Sequence, residues 1–170
     1  FKTYSIIISM PFSNFRSLCE IFVRMIPLTI IALGICVSSR CGINNIGAEG
    51  QMAMGIIAAT ATAFVVAPLP RFAAIPLCIL AGAAAGGAWG FIPGILKAKL
   101  DVSELLSTVM LNYAAAQFYA FMIRVPLIDP NEKTGTPMSA RLPDSTVLTK
   151  IFNRTALHQG IYLALILAVV

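Results

Sequence analysis

The sequence predicts an all-α fold: a polytopic bundle of transmembrane helices with about five spans, one of them a candidate broken helix near 40–51. Three observations carry this. Hydrophobic residues make up 58% of the 170 residues and charged residues only 11%, against about 25% charge in an ordinary soluble domain. The seven acids and twelve bases gather at Lys2–Arg24, Arg40–Glu49, Arg71, Lys97–Glu104 and Arg124–Arg154, leaving uncharged apolar stretches between them, the pattern of repeated membrane crossings. Gly82, Gly86, Gly90 and Gly94 recur at four-residue spacing inside one such stretch, a small-xxx-small stripe that lets a neighbouring helix approach closely.

The same numbers exclude a water-soluble domain. The net charge of +5 is not gathered into a basic stripe interleaved with aromatics, so nucleic acid is not an expected partner and membrane lipid is. Cys19, Cys36, Cys41 and Cys78 lie in or beside apolar segments without the spacing or histidines of a zinc site. They are read as packing residues, with no metal centre.

Taken in order, Arg16, Glu20 and Arg24 stand at i, i+4 and i+8, an interfacial helix start with neighbouring opposite charges. A first span covers 18–39, with Pro27 tolerated near its start. Residues 40–51 then interrupt the pattern with three glycines, two asparagines and Glu49, and helix propensity is poor there. The uncharged stretch 52–66 spans only about 22 Å as a helix, short of a hydrocarbon core of about 30 Å. Either part of 40–51 extends it, or the helix is broken within the membrane.

After the Ala67–Arg71 turn, 72–96 is long enough to span with tilt and carries the glycine stripe. Lys97 and Lys99 close that helix, Asp101 and Glu104 open the next, and 105–123 is again uncharged. A short basic connection suits the cytoplasmic face. That choice places 40–51 on or part-way into the inner side, and 67–71 and the 128–157 loop outside. The loop's Lys133, Arg141, Lys150 and Arg154 pull against the assignment. Pro130, Pro137 and Pro143 make it irregular, with a short helix expected near 147–154, and Asn153-Arg-Thr155 is read as a chance glycosylation match. A last span starts near Ala156. The chain is read as one transmembrane domain, 1–170, which begins without Met and stops inside an apolar run. A further N-terminal span and a C-terminal half are expected outside it.

No residue set supports enzymatic chemistry: His158 is the single histidine, and no GxSxG, HExxH or phosphate-loop sequence is present. Two polar constellations stand out instead. Asn44, Asn45, Glu49 and Gln51 belong to the interrupted stretch, where polar groups and freed backbone groups need a cavity or a partner. A substrate pathway meets that need; an ordinary cytoplasmic loop with a solvated Glu49 is the alternative. Glu104, Ser107 and Thr108 share a helix face, with Asn112 at i+4 from Thr108 and Tyr113 beside it. Ser107, Thr108 and Asn112 either hold helices together by hydrogen bonds or line the same pathway. Both readings stay open on the residues alone.

The strings Asn45-Ile-Gly-Ala-Glu-Gly-Gln51, Pro93-Gly-Ile-Leu-Lys-Ala98 and Met110-Leu-Asn-Tyr113 resemble, in this order and at about this spacing, the permease subunits of bacterial nucleoside ABC importers. These belong to a larger group that includes ribose, galactose and branched-chain amino-acid permeases. The resemblance covers 16–125. It implies a permease domain in a bacterial plasma membrane, paired with a second permease subunit and with ATP-binding subunits that carry ATP and Mg, so that no cofactor binds this chain. It also implies an extracellular substrate-binding protein or lipoprotein. Ribose-like sugars are the nearest rival substrates. An ion-coupled secondary transporter using Glu49 or Glu104 is a rival mechanism.

Overall fold

A computed structural model describes residues 2–129, 138–151 and 157–169. Its helices are α1 (Lys2–Ser9), α2 (Phe15–Arg40), α3 (Ala48–Val65), α4 (Arg71–Leu100), α5 (Glu104–Arg124) and α6 (Gly160–Val169), with a 3₁₀ turn at Met10–Phe12. Pairing outside helices is confined, among the described residues, to isolated bridges between Ile128 and Ser139 and between Lys150 and His158. The fold is all-α. Three helices, α2, α4 and α5, are long and apolar enough to cross a membrane. Helix α3 has 18 residues, about 27 Å of rise, because Ala48 to Gln51 extend the short apolar stretch. Glu49 and Gln51 stand in its first turn, and the rest of the helix is uncharged.

The described chain divides into two compact units, Phe1–Val37 with Leu148–Val170, and Ser38–Val147. In the first, the Arg16 and Glu20 side chains pair at 3.5 Å, exposed. Pro27 sits inside α2, and Thr29 Oγ1 donates to the Met25 carbonyl at 2.9 Å two residues later. Residues 147–151 are not helical; Ile151 N–H instead donates to Leu157 O at 2.9 Å and Gln159 N–H to Thr149 O at 3.2 Å. The rest of the expected 147–154 helix, and the Asn153-Arg-Thr155 match, lie outside the described residues, as do Lys133 and Arg154.

The second unit is a three-helix layer in which α3 packs on both α4 and α5. Its lead-in is set by Gly42. This residue has φ +76°, the left-handed conformation that ends a helix at low cost only for glycine. Ile43 N–H donates back to Ser38 O and Gly42 N–H to Ser39 O, both at 3.0 Å, which is the paired bonding of a Schellman stop. Helix α4 also ends on a left-handed residue, Asp101, φ +49°, whose N–H donates to Lys97 O at 3.1 Å and whose exposed carboxylate takes a 2.6 Å bond from Lys97 Nζ.

Small residues make the interior of this unit and large ones its outside. Gly55 and Gly82 face each other: a Cβ on either would stand 3.1–3.2 Å from the other's carbonyl oxygen. Ala74 and Ala115 are fully buried, while Phe72, Phe91, Met110 and Tyr113 are at least 65% exposed. In water such a surface would aggregate; against lipid it is the expected arrangement, since membrane helices associate through small residues.

The unit has two distinct ends. At one, the 41–47 stretch meets the start of α5. At the other, Arg71 Nη2 donates to Asp144 O at 2.8 Å and Ser145 Oγ to Ala67 O at 3.0 Å. Thus 40–51 shares its end with the 101–103 turn, and the 67–71 turn shares its end with the loop that follows α5.

Candidate functional site

The chain from Asn44 to Gly50 climbs one face of α5. Asn44 N–H donates to Glu104 Oε1 at 3.2 Å. A Cβ at Gly47 would stand 3.1 Å from Thr108 Cβ. Asn112 then bonds twice: its Nδ2 donates to Ile46 O at 3.0 Å and its Oδ1 accepts Gly50 N–H at 2.9 Å. Glu104, Thr108 and Asn112 succeed one another at i, i+4 and i+8, so the two polar constellations form a single seam.

That seam supplies what α3 lacks. Gly47 is the N-cap of α3 and has no side chain to bond the free N–H groups of the first turn, a role usually taken by Ser, Thr, Asp or Asn. A larger residue would collide with Thr108. Asn112 provides the missing acceptor from another helix. Asn45 Oδ1 accepts Gly47 N–H at 2.9 Å, an Asx turn that fixes the entry.

The contacts also show that α3 starts inside the layer. Gly50 is level with Asn112, eight residues into α5, and Gln51 is level with Gly90, ten residues before the end of α4. At about 1.5 Å per residue, and allowing for the residues of α3 before those contacts, its first residue lies roughly 9–11 Å in from the ends of its neighbours. The shortfall leaves a cavity of about 340 Å³ lined by Asn45, Gly90, Gly94, Lys97, Glu104 and Thr108 among others. Gly94 accordingly has nothing within 4 Å of a would-be Cβ, whereas Gly82, Gly86 and Gly90 lie against Gly55 and Gln51 of α3.

Of the remaining residues singled out above, Ser107 and Thr108 are buried, and their hydroxyls donate to carbonyls of their own helix: Ser107 to Glu104 O at 3.1 Å, Thr108 to Glu104 O at 2.7 Å and Leu105 O at 3.1 Å. Gln51 lies across Gly90, its amide nitrogen 2.6 Å from a would-be Cβ there. Glu49 is exposed on a second hollow, between α3 and α5. Sequence reasoning missed Gly50 as a junction and missed Trp89, whose buried indole Nε1 has no hydrogen-bond partner among the described residues and stands 3.2 Å from a would-be Gly50 Cβ. A single tryptophan inside the glycine-rich stretch was the available signal. Among the described residues no group of His, Cys, Asp or Glu could hold a metal ion.

A helical layer with apolar outer faces, an inward polar seam and a helix starting inside it has the build of a polytopic membrane protein. Residues 17–170 match the family described as the permease component of the branched-chain amino acid transport system, and the chain belongs to that family. It is 39% identical over 149 residues to the guanosine ABC transporter permease protein NupP of Bacillus subtilis, covering 86% of this chain and 42% of that one. To the glucose ABC transporter permease protein TsgB13 of Haloferax volcanii it is 38% identical over 132 residues, 77% of this chain and 34% of the relative. To the nucleoside ABC transporter permease protein NupB of Lactococcus lactis it is 42% identical over 108 residues, 64% and 30% respectively. The chain therefore spans less than half the length of these relatives. No solved structure matches.

Proposed function

We propose that this chain forms part of the translocation path of an ATP-driven importer of nucleosides. The observation that carries the proposal is the recessed start of α3: an irregular, polar stretch held inside a lipid-faced layer is stable only where it lines a cavity or is buried in protein. Relatives named for guanosine and for nucleosides support the substrate class. Asn44, Asn45, Glu49, Gln51 and Asn112 are the residues assigned to the path, with Ser107 and Thr108 backing it. The glycine stripe packs the wall.

The chain works in a bacterial plasma membrane with a second permease subunit, ATP-binding subunits that hold ATP and Mg, and an extracellular binding protein or lipoprotein. Its own role is passage, not hydrolysis. The 101–103 end faces the cytoplasm, following its lysines. Each relative described above is named an ABC transporter permease, which favours ATP coupling over ion coupling through Glu49. A sugar is the second substrate reading, favoured by the glucose relative. Uptake of labelled uridine and glucose in cells with and without the intact gene tests both. Uridine uptake lost on deletion, and lost again when the partner ATPase is inactivated, is the expected result; unchanged uridine uptake overturns the proposal.

A further inference from the structure

We propose that the groove between α3 and α5 is a subsite for the vicinal diol of a neutral sugar ring. The groove has a volume of about 250 Å³ and is lined by Glu49, Met52, Ile56, Asn112, Ala116 and Tyr119 among others. All of them lie in the same compact unit. The inference rests on the importer reading above and names what the path holds.

Glu49 carries the argument. Its carboxylate makes no hydrogen bond or ion pair with any described residue, although it stands on a helix that starts inside a lipid-faced layer. A carboxylate is an acceptor only, with two oxygens, and two adjacent hydroxyls present two donors at the matching separation. Bonds of this charge-assisted kind are about twice as strong as neutral ones. Asn112, after its bonds to Ile46 and Gly50, keeps one amide hydrogen and one lone pair for a further hydroxyl. Met52, Ile56, Ala116 and the Tyr119 ring supply an apolar wall for a base or for the carbon face of a sugar.

The groove also rejects other ligands. No lysine or arginine lines it, so a phosphate would meet Glu49 without a compensating cation. Nucleotides are thereby disfavoured, while nucleosides and free sugars, which share the diol, are not.

The test uses the full-length transporter with its ATPase and binding component in proteoliposomes, comparing wild type, Glu49→Gln and Glu49→Asp. Initial rates per assembled complex are measured for uridine beside 2′,3′-dideoxyuridine and for glucose beside 2,3-dideoxyglucose. The pair that is carried identifies the source of the diol. Wild type should prefer the hydroxylated member by roughly tenfold or more. Glu49→Gln should shrink that ratio several-fold by slowing the hydroxylated substrate, and Glu49→Asp, which keeps the carboxylate, should retain more of it. The binding component is the same throughout, so a change in ratio belongs to this chain. A ratio unaltered by Glu49→Gln, or absent from wild type, overturns the diol subsite alone. No ATP-dependent uptake of any of the four by wild type overturns the importer reading, and the subsite with it.

Discussion

Asn112 caps a helix to which it does not belong: its Oδ1 accepts the Gly50 N–H at 2.9 Å while its Nδ2 holds Ile46 O at 3.0 Å. Replacing it with Leu leaves the part-buried Gly50 N–H without its acceptor and frees the exposed Ile46 carbonyl. Loss of a cap costs about 1 kcal/mol and an unpaired buried polar group about 1–3 kcal/mol. Asn112→Leu should therefore lower stability by about 1–3 kcal/mol, and Asn112→Asp, which keeps only the acceptor, by less. Unfolding of the full-length permease in detergent measures the order; equal stability of all three would remove the clamp.

The glycines divide by what surrounds them. Gly50→Ala puts a Cβ 2.9 Å from Asn112 Oδ1, and Gly86→Ala puts one 3.0 Å from the Gln51 carbonyl oxygen. Each should cost about 1–3 kcal/mol through overpacking. Gly90→Ala meets only the movable end of Gln51 and should be milder. Gly87 and Gly94 have open space, so alanine there should stabilise by about 0.5–1 kcal/mol through helix propensity alone. The yield of folded protein across the five alanine variants checks the ranking.

At the end of α4, the Lys97 ammonium, by hydrogen bond and charge, holds the Asp101 carboxyl below its ordinary range. A depressed folded pKa means the pair contributes above the unfolded value, near 3.9 for Asp, and is lost as pH falls through the folded one. Asp101→Gly removes the exposed pair but relieves the left-handed backbone at φ +49°. The melting temperature of wild type minus that of Asp101→Gly should fall between pH 7 and pH 3. A gap that widens in acid would contradict the assignment.

Arg71 and Ser145 tie the loop after α5 to the far end of the layer. With both changed to Ala, trypsin should cut at the exposed Arg141 faster. In right-side-out vesicles that cut should occur without permeabilisation, and protection there would invert the proposed orientation.

Much of this architecture is written locally in the chain. The charge clusters mark the helix ends, and Gly42 and Asp101 terminate α2 and α4 where apolar periodicity gives way. The seam is not legible in the same way. Asn44 to Glu104, Ile46 to Asn112 and Gly50 to Asn112 are 60 to 66 residues apart, so no local pattern joins them. Glycine spacing marked Gly94 as part of the stripe, yet α3 starts too late to reach it. A short helix was expected near 147–154, where the chain instead makes a bridge from Lys150 to His158.

The late start of α3 has a consequence for biosynthesis. Gly50 leaves the ribosome 62 residues before Asn112, the group that satisfies it, and α3 carries Glu49 and Gln51 on a helix of only 18 residues. Its contacts with Gly86, Gly90 and Asn112 can form only after α4 and α5 have followed it. The capping of the third helix thus waits on the synthesis of the fifth.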